Sequence, residues 1–242
     1  MEWSEDGIIL GTRRHGESSV IVEAFTSGHG RHLGIVKGGR SRRMQPTLQP
    51  GNRVRLTWRA RLEEHLGMFQ AEPIEDRAAD LMADRTALAG FMTLAAHVRL
   101  LPERDTNEDL FELFEATNDM LQTGLGGQAL AVFERDLLAA LGFGLDLTFC
   151  AATGQRAGLV YVSPKTGRAV SAQAGKPYKD RLLALPDFLR QEGADFGGGG
   201  SVQGLADAFR LTGHFLHRHV WMPRNVPPPA ERERFIAYVT AA

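Results

Sequence analysis

The apolar residues of the first 72 positions fall into short runs that turn residues separate. Each run has the length of a strand, and most are rich in β-branched residues. Between residues 53 and 59, Val54, Leu56 and Trp58 alternate with arginine, which predicts one buried face and one wet, basic face. Five such strands predict a small barrel of the OB type, although an SH3-like barrel would show a similar pattern. The runs lie at residues 8–10, 20–22, 33–36, 54–56 and 66–72.

From about residue 80 the apolar spacing lengthens to nearly four, which is typical of amphipathic helices. Helices are predicted over 81–101, ended by Pro102, and over 110–121, capped by Thr106 or Asn107. Further helices are predicted over 128–141, 202–221 and 230–239, with a glycine-rich linker at 195–201.

The two patterns together predict an α+β fold. An OB-fold nucleic-acid-binding domain is expected at residues 1–78 and a helical domain at residues 79–242. Short β-like pieces recur in a β-rich insertion at about 144–178, inside the helical domain.

Charge changes this picture, because it is unevenly distributed. The formal net charge is −1, yet no Asp or Glu occurs between residues 31 and 62, where arginine is frequent. The segment 37–43 reads Lys-Gly-Gly-Arg-Ser-Arg-Arg, and the planar guanidinium of arginine suits phosphate. A basic β-domain is typical of phosphate-backbone binding, although a loop kept basic for solubility is the alternative. The candidate DNA-binding residues are Arg13, Arg14, Arg31, Lys37, Arg40, Arg42, Arg43, Arg53, Arg55 and Arg59.

Other kinds of site find little support. Cys150 is the single cysteine, so an intrachain disulfide and a cysteine-rich zinc site are both excluded. His214 and His217 would share a helix face, but no third ligand lies near them. The chain has no phosphate-binding loop motif, no dense carboxylate cluster and no run long enough to span a bilayer. We therefore expect a cytoplasmic binding protein that is not an enzyme and needs no metal or cofactor.

Five segments stand out along the chain, in this order: Gly7-Ile-Ile-Leu, Val36-Lys-Gly-Gly-Arg, Leu48-Gln-Pro-Gly, Phe133-Glu-Arg-Asp-Leu and Tyr161-Val-Ser-Pro-Lys-Thr-Gly-Arg. In order and spacing they resemble segments of the RecO family of DNA-repair recombination mediators. The resemblance implies an N-terminal OB-fold, a helical domain and a small zinc-ribbon-like insertion. It also implies binding to single- and double-stranded DNA and annealing of complementary strands. The implied partners are RecR, the C-terminal tail of the single-strand-binding protein and, indirectly, the recombinase RecA.

One departure from the family pattern concerns zinc. Members with zinc carry two Cys-x-x-Cys pairs, whereas this chain has Cys150-Ala-Ala-Thr153 and, at the second place, Ser171-Ala-Gln-Ala174. A structural zinc site needs about four nitrogen or sulfur ligands, so no metal site is expected here.

The acidic tail of the single-strand-binding protein would need cations among apolar residues. The helical body offers such cations at Arg99, Arg104, Arg135, Arg210 and Arg218. Two other functions remain open on the sequence: an RNA-binding OB-fold protein in translation or RNA processing, and a nuclease.

Overall fold

The computed structural model describes residues 1–190 and 201–241, so the predicted linker lies almost entirely outside the described residues. The chain forms two compact units. Unit 1 comprises Met1–Phe91 and Ala95–Glu112, and unit 2 comprises Met92–Leu94 and Leu113–Ala242. Residues 79–91 and 95–112 thus group with the barrel, and the domain boundary at residue 78 stays a prediction.

Unit 1 is built on a closed barrel of five strands. The strands are β1 (Glu2–His15), β2 (Ser19–Thr26), β3 (Gly30–Val36), β4 (Arg53–Arg59) and β5 (Met68–Glu75), and a short helix between β3 and β4, α1, is Met44–Thr47. Around the barrel the strand order is β1-β2-β3-β5-β4. Strand β3 pairs with β5 in parallel, while the other neighbours, including β1 and β4, are antiparallel. This architecture confirms the predicted OB-fold.

The alternation in β4 correctly predicted which side chains face the barrel core. Val54, Leu56 and Trp58 are buried there, against residues of the other strands such as Ile9 and Phe69. The outward positions of β4 are only partly buried or exposed, so one face is wet as expected.

The first predicted helix is divided in the structure into α2 (Ala78–Ala83) and α3 (Arg85–Val98). Asp84 between them has an extended backbone, and its carboxylate accepts hydrogen bonds from the N–H groups of Thr86 and Ala87. An aspartate that caps a helix in this way starts a new helix rather than continuing the old one.

Helix α4 (Glu108–Met120) begins in unit 1 and ends in unit 2. The side chain of Asn107 accepts a hydrogen bond from the N–H of Leu110 at 2.9 Å, so the cap is Asn107 rather than Thr106. The remaining longer helices are α5 (Gly126–Ala140), α7 (Val202–Leu216) and α9 (Ala230–Thr240); α7 continues through a π-helical segment, His217–Trp221, into α8 (Met222–Arg224).

A buried ion pair joins α5 and α9 inside unit 2. The guanidinium of Arg232 donates to both carboxylate oxygens of Glu134, at 2.6 and 2.9 Å, and Glu134 has no exposed surface. The hydroxyl of Thr212 on α7 also donates to Glu134. Such a fully bonded network fixes how these helices pack.

The insertion contains a three-stranded sheet of order β7-β6-β8. One of its strands, β8, lies beyond the predicted end of the insertion at residue 178, after a stretch of helical turns. The elements are β6 (Leu159–Val162), β7 (Ala169–Ser171), α6 (Ala172–Gly175), β8 (Leu183–Ala184) and the 3₁₀ turns Lys176–Arg181 and Asp187–Arg190.

Candidate nucleic-acid interface

The basic loop at residues 37–43 is fastened to the turn between β1 and β2. The backbone N–H of Arg40 donates to the carbonyl of Ser18 at 3.0 Å, and the Arg40 guanidinium donates to the carbonyl of Glu17. Gly38 has a positive φ of 66°, a conformation that glycine adopts without strain. The bonds of Arg40 hold the loop in place at the edge of the barrel.

The remaining cations of this loop are exposed side chains without an acidic partner in the described part of the chain. Lys37, Arg42 and Arg43 are exposed, and no carboxylate among residues 1–190 and 201–241 lies within ion-pair distance of them. Arg13 and Arg14, near the end of β1, are also exposed and likewise unpaired within the described part of the chain. We call Arg13, Arg14, Lys37, Arg42 and Arg43 the open cations.

The arginines of β4 are in a different state, because β1 supplies carboxylates opposite them. Asp6 accepts hydrogen bonds from Arg53, at 3.4 Å, and from Arg55, and Glu2 accepts one from Arg59 at 2.7 Å. The hydrogen bond from Arg59 lowers the pKa of Glu2, and the same contact raises the pKa of Arg59. The outer face of β4 is thus wet, as expected, but two carboxylates of β1 offset much of its positive charge.

Arg31 is the most enclosed of the candidate DNA-binding residues. Its guanidinium donates to Glu23 at 3.0 Å, and Glu23 also accepts from Arg99 at 2.7 Å. Only 16 % of the Arg31 side chain is exposed.

Residues 99–111 of unit 1 cover part of the outer face of β2 and β3. The ring of Phe111 packs edge-on against Phe25 at 5.2 Å, and the N–H of Arg104 donates to the carbonyl of Arg31 at 2.8 Å. In OB-folds this strand face commonly binds oligonucleotides. Here much of it is used inside the unit, which leaves the loops and the strand ends for a ligand.

Two of the candidate partner-binding arginines, Arg99 and Arg104, make hydrogen bonds within unit 1. Arg99 donates to Glu23 and to the carbonyl of Leu10, at 2.7 and 3.0 Å. Arg104 has a positive φ of 66° and donates to the carbonyls of Glu63 and His65, in the loop between β4 and β5. A non-glycine residue in this conformation persists only where its surroundings hold it, and these bonds do so.

The other three candidate partner residues lie in unit 2. Arg135 donates to Asp136 and to the carbonyl of Leu189, and it is largely buried. Arg218 donates to the carbonyl of Pro164 at 2.7 Å. Arg210 pairs with Asp207 on its own helix, yet 66 % of its side chain is exposed. Arg210 is therefore more accessible than Arg99, Arg104 and Arg135, and Arg218 is exposed as well.

The comparisons with known proteins agree along the whole chain. The family model for the N-terminal part of recombination protein O matches residues 1–77, and the model for its C-terminal part matches residues 82–226. The chain belongs to the RecO family. A curated protein of Methylobacterium nodulans named DNA repair protein RecO is 57 % identical over all of this chain and 99 % of its own length. Proteins of the same name from Chelativorans sp. and Mesorhizobium japonicum are each 56 % identical, over 99 % and 98 % of this chain and 96 % and 93 % of their own lengths.

Family membership raises the question of zinc in the insertion, and the residues present do not fit such a site. Cys150 and Ser171 come together as the first members of the two family pairs would, with the N–H of Ser171 donating to the Cys150 sulfur at 3.2 Å. Burial by itself would raise the pKa of this thiol, but hydrogen bonds, foremost from the Ser171 and Thr153 side chains, outweigh it and lower the pKa to about 6. Only one thiolate is available, and the described residues contain no group of three possible ligands. The absence of zinc stays a prediction, which elemental analysis of the purified protein tests.

One part of this surface has no counterpart among the features predicted from the sequence. A groove of about 670 Å³ lies between the β1–β2 turn and the basic loop, and its walls include Thr12, Glu17, Gln45 and Gln49 as well as Arg14 and Arg40. No local sequence pattern indicates this groove, because its walls come from segments that the barrel brings together.

Among the described residues, no helix has both the length and the apolar character that a membrane span requires.

Proposed function

We propose that this protein acts in DNA repair and recombination as a mediator that binds single- and double-stranded DNA and anneals complementary strands. The open cations carry the proposal. They lie at the edge of an OB-fold barrel in a chain of the RecO family, and they have no carboxylate partners among the described residues. Exposed unpaired guanidinium groups attract phosphate and release the counterions condensed on it.

The partners proposed for this function come from the same family membership. The protein would help load the recombinase RecA together with RecR, and it would bind the C-terminal tail of the single-strand-binding protein. For an acidic tail, Arg210 and Arg218 are better placed than the other candidate residues, because both side chains are exposed and lie on the same helical stretch. We propose a cytoplasmic location, where chromosomal DNA and these partners would be found.

The open cations act in this scheme by screening. Two complementary strands repel one another through their phosphates, and a cationic surface that holds both lowers that repulsion. Annealing activity should therefore follow DNA binding when salt is raised or open cations are removed.

The decisive experiment measures binding and annealing with the full-length protein. Fluorescence anisotropy gives the affinity for a labelled single strand, a duplex and an RNA strand of the same sequence, and a quenching assay follows annealing of two complementary DNA strands. We expect binding to both DNA forms and faster annealing than without protein.

Two results would contradict the proposal. Tight binding to the RNA strand with weak binding to DNA would favour the RNA-binding alternative. Mg²⁺-dependent cleavage of the DNA strands would show a nuclease instead.

A further inference from the structure

The groove beside the basic loop has the size and chemistry of a ligand site. Its volume of about 670 Å³ lies within the range of small-molecule and cofactor pockets. One wall comes from β1 and the β1–β2 turn, the other from the basic loop and α1. Both walls belong to unit 1, and the bonds from Arg40 to Ser18 and Glu17 join them.

The interior of the groove combines an apolar floor with hydrogen-bond acceptors. Val20 and Leu48 form the floor and belong to the barrel core. The amide nitrogen of Gln45 donates to the carbonyl of Arg40, and that of Gln49 donates to the carbonyl of Gln45, each at 3.1 Å. Each of these amide nitrogens uses one of its two N–H groups in this way, and neither amide oxygen accepts a hydrogen bond within the described residues, so both oxygens are open to a ligand.

Arg14 and Arg40 supply positive charge to the same groove. A ligand that fits would carry a flat apolar surface, N–H donors along one edge, and an anion beside it. An unpaired nucleobase with its phosphates has this combination. Every one of the four bases has an N–H group on its pairing edge, so glutamine oxygens would accept any of them without selecting a sequence.

We propose that the groove holds one unstacked nucleobase of a single DNA strand, with the neighbouring phosphates at Arg14 and Arg40. This inference rests on the proposed function, since it takes the ligand to be DNA. The covered part of the β2–β3 face explains the placement, because a base that would commonly stack there meets residues 99–111 instead.

Glu17 gives the groove a preference. Glu17 is exposed and is one of the residues that line the groove. A carboxylate disfavours a phosphate deep in the groove but tolerates a neutral base, so the base enters and the backbone stays at the rim.

The test compares two strands that have equal phosphates and differ in their bases. One is a short oligo-dT, and the other is an abasic strand of the same length. The full-length protein should bind oligo-dT roughly five- to tenfold more tightly than the abasic strand, the effect of about 1 to 1.4 kcal/mol of base contact. Thr12→Trp should abolish that difference, because the indole would project from the β1 wall into the space proposed for the base, without removing a cation.

The matched control is Gln70→Trp, an exposed neutral position on β5 that does not line the groove. It should keep the wild-type preference for oligo-dT, and melting temperatures should show that both variants are folded. The salt slope should be unchanged in both variants, because neither substitution alters a charge.

The outcomes separate this inference from the proposed function. Equal wild-type affinity for the two strands, or a Thr12→Trp variant whose preference for oligo-dT equals or exceeds that of wild type, would overturn the base site. If wild type nevertheless bound both strands in a salt-dependent way, phosphate binding would stand. If the wild-type protein bound neither strand, the proposed function itself would be overturned.

Discussion

Residues 37–43 and strand β4 each contribute several cations to unit 1, but they differ in what faces them. Antiparallel pairing with β1 places Glu2 opposite Arg59 and Asp6 opposite Arg55. The loop has no opposing strand, and its exposed cations Lys37, Arg42 and Arg43 lack acidic partners in the described part of the chain. The difference shows that a run of arginines gives a positive surface only where the neighbouring strand leaves it uncompensated.

The largest effect on DNA binding is expected from Arg42→Ala combined with Arg43→Ala. If both contact phosphate, the slope of log K against log salt should flatten by roughly 1.4 for a single strand, and affinity near 0.1 M salt should fall roughly 10- to 30-fold. Stability should change by no more than about 0.5 kcal/mol, because both side chains are exposed. Anisotropy titrations at several salt concentrations measure slope and affinity together.

The control is the double change Arg55→Ala and Arg59→Ala, which removes the same charge from the same unit. These side chains are also exposed, by 53 % and 55 %, but each has a carboxylate partner. A control that lost as much affinity and slope as the loop variant would show that overall charge, rather than the unpaired state, decides binding.

A second prediction concerns Arg31, which is paired with Glu23. Because a paired arginine contributes to the fold, its replacement should reduce stability and leave DNA binding nearly unchanged. Arg31→Met should lower the free energy of unfolding by about 1–3 kcal/mol, because it removes one of the two arginines that the described residues place on the largely buried Glu23. Chemical denaturation measures this change. The folded variant should bind single strands within about twofold of wild type with an unchanged salt slope. A flattened slope with unaltered stability would return Arg31 to the DNA contacts.

The sequence predicted the elements of the barrel well, because alternation in β4 depends only on which side chains face the core. It did not predict the ion pairs of β4, since their partners lie on β1, and Asp6 and Arg53 are 47 residues apart. For residues 99–111, too, the contact partners were not predictable, because they are distant in the sequence. Their apolar spacing correctly indicated burial, but Phe111 meets Phe25 of the barrel. From the sequence alone, Arg99 and Arg104 were predicted to be free surface cations, because nothing in it indicates that they lie beside their partners Glu23 and His65.

The contrast between the basic loop and β4 can also be tested by removing a carboxylate that pairs with the arginines of β4. Asp6→Asn should remove the charge that Arg53 and Arg55 share. We expect single-strand affinity to rise roughly two- to fivefold and the salt slope to steepen by up to about 0.7, the effect of one added phosphate contact. Asp76→Asn, an exposed position of the same unit, makes the same change in net charge and should do less. An equal gain in both variants would assign the effect to net charge.

The smallest effect is expected where a pair is removed as a whole. Glu2→Gln combined with Arg59→Gln leaves the net charge unchanged and deletes a contact in which the Arg59 nitrogen lies 2.7 Å from the Glu2 oxygen. Because the pair presents little net field to an approaching strand, affinity should stay within about twofold and the salt slope should not move. The same titrations used for the loop variant check this. A clear loss of affinity in the double variant, with the loop variant as reference, would mean that Arg59 leaves Glu2 to bind phosphate. The outer face of β4 would then join the open cations as part of the DNA surface.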